Sequence, residues 1–119
     1  MTESYKFQNL DVYKLSLEYI KAVYELKSKL PEHEKFNLTG QISRAATSIA
    51  LNIAEGSTGQ SNLEQKRFLG LAIRSYLETI ACLDIIEKFG YINKDEIYAL
   101  RQQGHLLFIK LSAFKKTMK

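Results

Sequence analysis

"SRAATSIALNIAEGSTGQS", residues 43–61, carries only two charged side chains, Arg44 and Glu55, in a 119-residue chain in which 25% of the residues are charged. How this stretch is read decides the fold. Its glycines and hydroxyls suit a loop that cradles phosphate; its small and apolar residues suit a helix enclosed by other helices. A phosphate loop needs Lys and then Ser or Thr directly after its second glycine, with a strand leading in. Here Gly59 is followed by Gln60, and the residues before it have helical spacing. Ile42, Ala46, Ile49 and Ile53 recur at steps of four, three and four, one face of a helix that Thr39 is placed to cap. Ala45, Ser48, Ala50, Asn52 and Ala54 surround that stripe with small side chains. Neighbouring backbones can then approach from more than one side, as in a helix buried on several faces. Gly56 and Gly59 read as its terminator, and Ser61 with Glu64 as the capping box of the next helix.

The segments on either side repeat the pattern. Asn9 is a candidate cap for a first helix, and Leu30, just before Pro31, its end, because a proline pushes its predecessor out of helical geometry. Val12, Leu15, Tyr19, Val23, Leu26 and Leu30 form the inner stripe there, and Lys14, Glu18, Lys21, Glu25 and Lys29 the solvated face, with lysines within i+4 reach of the two glutamates. A third helix has Leu69, Ala72, Tyr76, Ile80, Leu83 and Ile86 inward and a left-handed stop at Gly90. Asn93 with Glu96 opens a fourth, in which Ile97, Leu100, Gly104, Leu107, Leu111 and Phe114 keep helical spacing. The spacing predicts helices at about 10–30, 40–56, 62–89 and 94–117. Short connections make neighbours antiparallel, so the expected fold is all-α, an up-down-up-down four-helix bundle in one domain spanning 1–119.

Composition excludes several classes of function. No apolar run approaches the roughly 20 residues that cross a bilayer, and the N-terminus MTESYKFQNLD lacks an apolar signal core, so a cytoplasmic protein without a membrane partner is expected. The single cysteine, Cys82, lies in the apolar run IACLDII and reads as a small core hydrophobe. A di-metal carboxylate bundle needs inward Glu residues and Glu-x-x-His pairs. Neither histidine supplies one: His33 sits in a loop, and His105 has Gln102 where glutamate is required. No serine stands in a recognisable nucleophile motif. The expectation is a non-enzyme with no catalytic residue, no metal, no cofactor and no small-molecule substrate.

The charge distribution says more. The formal charge of +4 favours an anionic partner. After Glu96 no acidic residue follows, while Arg101, Lys110, Lys115, Lys116 and Lys119 accumulate, and Arg101, His105, Ser112, Lys115 and Lys119 share one side of the fourth helix. Arg67 and Arg74, one heptad apart beside Lys66, make a second basic group on the third. These cations are the candidate nucleic-acid contacts. Ordinary roles compete with that reading, since cations near a helix C-terminus offset its dipole and Glu64 and Glu78 flank the second group. Arg44 and Glu55 are eleven residues apart, about three turns, and project from nearly the same side of the second helix. A subunit interface is the expectation for that pair. Of the aromatics, Tyr19, Tyr76 and Phe114 read as core, whereas Tyr5, Tyr13, Tyr91 and Tyr98 are left for the surface.

The ordered string Phe7, Leu10, Val12, Tyr13, then Leu30, Pro31, Glu34, Phe36, Leu38, Thr39, then Gln41, Ile42, Arg44, Ala45, Ala46, Ser48, Ile49, Asn52, Ile53, Ala54, Glu55, Gly56 covers much of the chain. It continues through Ser61, Glu64, Arg67, Phe68, Leu69 and Ala72 to Gly90 and Tyr91. In these residues the sequence resembles the bacterial four-helix-bundle proteins encoded in intervening sequences of large-subunit ribosomal RNA genes. It is distantly similar to the accessory protein of diversity-generating retroelements. The resemblance implies an antiparallel bundle assembling into a homopentameric ring, with no catalytic activity established for the family. The retroelement relative binds RNA and a reverse transcriptase, so a partner of that kind is an expectation carried by the resemblance alone. Ser43 stands where the family often has a second arginine, Ala50 where proline is frequent, and Asn37 and Arg74 where glycine is frequent. Two functions stay open at this level: an oligomeric bundle whose basic surface binds structured RNA or a nucleoprotein, and a protein adaptor that binds no nucleic acid.

Overall fold

The computed structural model describes residues 3–59 and 61–118. Among them, all regular structure is helical: α1 (Asp11–Lys27), α2 (Leu38–Gly56), α3 (Asn62–Phe89) and α4 (Lys94–Lys116), with 3-10 turns at Lys6–Asn9 and Glu32–Glu34. Contacts at the helix ends give the directions. Lys29, just past α1, pairs with Glu96 at the start of α4, while Leu10, Asp11 and Val12 share a hollow with Lys110 and Phe114 near the end of α4. Arg101 of α4 reaches Asp84 and Glu87 of α3, and Lys115 lies against Gly70. Tyr5 and Phe7, ahead of α1, share a hollow with Ser57, Thr58 and Gly59 beyond the end of α2. Each helix therefore runs antiparallel to the neighbours it packs on, and the fold is the all-α four-helix bundle.

Two helix starts differ from the sequence reading. Asn9 does not cap α1; it closes the preceding 3-10 turn, and Leu10 is the N-cap without a side-chain bond. A local turn has won there, because Gln8 Oε1 accepts the Tyr5 N–H at 2.6 Å and Leu10 N–H donates to Phe7 O at 3.1 Å. Thr39 does not cap α2, which begins at Leu38 behind Asn37, two residues earlier than expected. The N–H of Leu38, one of the donors a helix start leaves unpaired, is received by Glu34 Oε1 at 3.4 Å. α1 also ends at Lys27, not at Leu30, since N–H bonds from Lys29 to Leu26 O and Leu30 to Lys27 O tighten its exit into a turn. Ser61 and Asn93 cap as their patterns predict, accepting from Glu64 N at 3.2 Å and Glu96 N at 3.0 Å.

In α2 the side chains of Ile42, Ala46, Ile49 and Ile53 are all fully buried, and Ala45, Ala50 and Gly56 are buried beside them. Each isoleucine contributes roughly 1.5–3 kcal/mol from removal of its surface from water. Gly56 is not a left-handed terminator. Positive φ occurs only at Gly59 (+100°) and Gly90 (+70°) among the described residues, and Gly56 is the last helical residue, where a Cβ would stand 2.5 Å from Phe68 Cβ. Its role is to let α3 touch the backbone of α2. Gly90 does act as the stop of α3: its N–H and that of Tyr91 return to the carbonyls of Glu87 and Ile86.

The core also holds polar groups that periodicity passed over. Ser16 takes the inward position expected of Leu15, its hydroxyl satisfied by Tyr13 O at 2.6 Å, and Thr79 is fully buried where Ile80 was expected and is only half-buried. Thr79 Oγ1 donates to Tyr76 O at 2.5 Å, which leaves Tyr19 as the donor in the 2.8 Å bond between Tyr19 Oη and Thr79 Oγ1. Burial pushes the Tyr19 phenol far above its ordinary range. The rings of Tyr19 and Tyr76 close over Gly104, where a Cβ would come within 2.7 and 2.8 Å of them. At the end of the bundle where α1 and α3 finish, Glu34, 8% exposed, accepts the Tyr91 hydroxyl at 2.8 Å and so ties the first interhelical connection to the third. That bond raises the Tyr91 pKa, with burial and the carboxylate charge acting in the same direction.

Candidate nucleic-acid interface

The start of α3 is fixed from two sides. Ser61 holds its first turn, and the seat of Phe68 on Gly56 sets its rotation. Gly70 then falls three residues after Arg67 and four before Arg74, so the three share one side of the helix. From α4, Lys115 reaches across to this point: its Cε and Nζ each lie 3.7 Å from where a Gly70 Cβ would be. The ammonium therefore lies over α3 between the levels of the two arginines, at a distance that leaves ordinary contact with a Gly70 Cβ. Arg67 and Arg74 are exposed, as are Lys66, next to Arg67 in sequence, and Lys116, next to Lys115. Arg67 Nε lies 3.5 Å from Glu64 Oε2, and its guanidinium sits 4.6 Å from the Phe68 ring centre. An exposed pair of this kind is worth roughly 0–1 kcal/mol and leaves the cation available to a competing phosphate.

The remaining candidate cations lie elsewhere. Arg101 Nη2 is held by Asp84 Oδ1 at 2.9 Å and Glu87 Oε1 at 3.2 Å. Burial alone would lower its pKa, but the bonds to the two carboxylates outweigh that and raise it. Its charge is thus matched internally, about 21 Å along α4 from Lys115. Lys110 faces the start of α1, beside Asp11 and the apolar hollow of Leu10, Val12 and Phe114. Lys119 lies outside the described residues. The basic stripe inferred along α4 therefore divides, and of its described members only Lys115 joins the strip on α3.

Arg44 and Glu55 are both exposed on the outer side of α2, and Leu51, 66% exposed, lies between them. Among the described residues neither charged group has an ion-pair partner, and Arg44 folds back over Gly40. Cys82 is buried, its thiol pKa raised by burial and by Glu78. His105 is exposed and stacks on Phe108, whereas His33 Nε2 approaches the Tyr91 hydroxyl at 3.2 Å. No group of three or more His, Cys, Asp or Glu residues suited to a metal ion occurs among the described residues, and no helix among them is long and apolar enough to cross a membrane. The meeting of Lys115 with α3 at Gly70 escaped sequence reasoning, although the position of Gly70 midway between two arginines was visible. Its partner Lys115 is fixed only by the register between α3 and α4.

The fold and this strip define a small helical bundle with a cationic edge built from two antiparallel helices. The model of the 23S rRNA-intervening sequence protein family matches residues 8–112, and the chain belongs to that family. A similar solved structure is the crystal structure of a protein of unknown function from the S23 ribosomal protein family of Bacteroides thetaiotaomicron. It is 26% identical, has a TM-score of 0.81, and the alignment covers 88% of this chain and 98% of that one. Among curated proteins none matches the chain.

Proposed function

We propose that this protein is a non-enzymatic, oligomeric bundle that binds structured RNA through the phosphates, using Arg67, Arg74 and Lys115 of each copy. The observation that carries the reading is the seating of Lys115 over Gly70 between the two arginines, which gathers cations from separate helices on one exposed edge. Membership of a family named for ribosomal RNA intervening sequences supports RNA as the polyanion. Repetition of a small patch around an oligomer multiplies a weak contact through avidity.

For each copy that engages the RNA, binding of a structured hairpin should weaken about ten- to fifty-fold between 50 and 200 mM salt, as expected for two or three phosphate contacts per copy. Changing Arg67, Arg74 and Lys115 together to glutamine should remove most of both the affinity and the salt slope, measured by fluorescence anisotropy. A complex indifferent to salt would contradict phosphate docking.

The oligomer is assigned to the outer side of α2, where Arg44, Leu51 and Glu55 are exposed on one helical face. Arg44→Glu should lower the mass seen in light scattering toward that of a single chain. Unchanged mass would remove this face from the interface.

A further inference from the structure

At the end of the bundle where the α4 tail emerges, the N-terminal segment crosses from α1 toward the α2–α3 connection. It is a formed 3-10 turn, held by the Tyr5 N–H bond to Gln8 Oε1 and by N–H bonds from Gln8 to Tyr5 O and from Leu10 to Phe7 O. Phe7 is anchored, its ring edge-on to Tyr13 of α1 at 5.0 Å and 82°. Tyr5 is 68% exposed, and its ring lies nearly parallel to that of Phe7, 8° between planes and 6.4 Å between centres. With Lys6 these rings form one wall of a hollow of about 310 Å³; the other wall is Ser57, Thr58 and Gly59. Gly59, at a φ of +100°, has open space where a side chain would project, so that wall stays at backbone height.

The composition of the hollow selects its ligand. An aliphatic side chain would use the rings and ignore the Lys6 ammonium. A free phosphate would use Lys6 and leave the rings idle. A nucleotide uses both, since bases stack on exposed aromatic rings beside basic residues. The Tyr5 ring, 68% exposed and nearly parallel to that of Phe7, offers a flat face on which a base can stack. Position agrees as well. Ser57 is bonded to Gln65 Nε2 and Gly56 touches Phe68, so the 57–59 wall is packed on the same opening turns of α3 that carry Arg67.

We infer that the hollow between Tyr5, Phe7 and the 57–59 turn binds one unstacked nucleobase of the RNA whose phosphates lie on the basic strip. This rests on the RNA reading above and adds to it a preference for a bulged or looped nucleotide beside a paired stem, the form in which RNA bases are open to stacking.

The test uses the full-length protein and two RNA hairpins with one stem, of which one carries a single bulged fluorescent aminopurine. The wild type should bind the bulged hairpin about ten-fold more tightly than the paired one, with the aminopurine emission quenched by ring stacking. Tyr5→Ala should abolish that preference and the quenching while leaving the salt slope intact. Tyr5→Phe should retain both. Tyr5 lies outside α1 to α4 and is exposed, so circular dichroism should be unchanged in either variant. Adenosine monophosphate alone should not displace the bulged RNA at millimolar concentration, and displacement would overturn the assignment to a base held within RNA. Salt-sensitive binding of both hairpins with equal affinity, or a preference that survives Tyr5→Ala, would overturn the base site and leave the phosphate strip standing. Failure of both hairpins to bind at low salt would overturn the RNA reading itself.

Discussion

Replacing Gly56 with alanine should lower the stability of the bundle by about 2–3 kcal/mol and its Tm by about 10 °C. The added methyl would stand 2.5 Å from Phe68 Cβ, 3.3 Å from Phe68 Cγ and 3.5 Å from the Cα of Gln65. The nearest of them, Phe68 Cβ, is bonded directly to the backbone of α3, and the Gln65 Cα is part of it, so no rotamer change relieves the clash and the two helices must separate. Intrinsic helix propensity acts in the opposite direction, favouring alanine by about 1 kcal/mol. The helical glycine at position 70 supplies the contrast, because its Cβ would meet only Lys115 side-chain atoms at an ordinary 3.7 Å. Gly70→Ala should therefore be neutral or stabilising by up to about 1 kcal/mol in the same urea titration. Equal behaviour of the two substitutions would mean that the contact between α2 and α3 is looser than described.

The second large effect is expected at the centre of α2. Ile49 is fully buried between Ile42 and Ile53, one turn or two from each, on the face that meets the rest of the bundle. Ile49→Ala should cost about 3–4 kcal/mol, combining lost transfer energy with a cavity the packed neighbours close only in part. Ile49→Val, which removes a single methylene, should cost about 1 kcal/mol. Equilibrium denaturation of the pair measures the gradient. A loss below about 1 kcal/mol for the alanine variant would show that this face of α2 is open to water.

The inner face of α2 was legible because apolar periodicity is a local property, written in consecutive residues. The caps at Ser61 and Asn93 and the stop at Gly90 were legible for the same reason. The starts of α1 and α2 were not, since the competing partners, Gln8 in one case and Glu34 in the other, belong to turns that no stripe announces. Gly56 shows the limit from another side. A glycine at the end of an apolar run reads as a terminator, and only the position of Phe68 reveals that closeness, not handedness, is what it provides. For the basic residues, the sequence exposed the supply of cations but not their pairing. Arg101 and Lys115 share one side of α4, yet one faces two carboxylates and the other a glycine flanked by arginines. Which of those a lysine or arginine meets depends on where α3 stands beside α4, and helical spacing within a single helix carries no such information.

The two tyrosine rings over Gly104 act as a key in a slot. With rings from α1 and α3 both seated on the only side-chain-free position of α4, that helix is prevented from sliding along its axis. A slip of one turn would carry the cationic tail about 5.4 Å past its arginine neighbours. The alignment of the outer charges is therefore set from within, by a contact that no dissolved ion or passing ligand can reach.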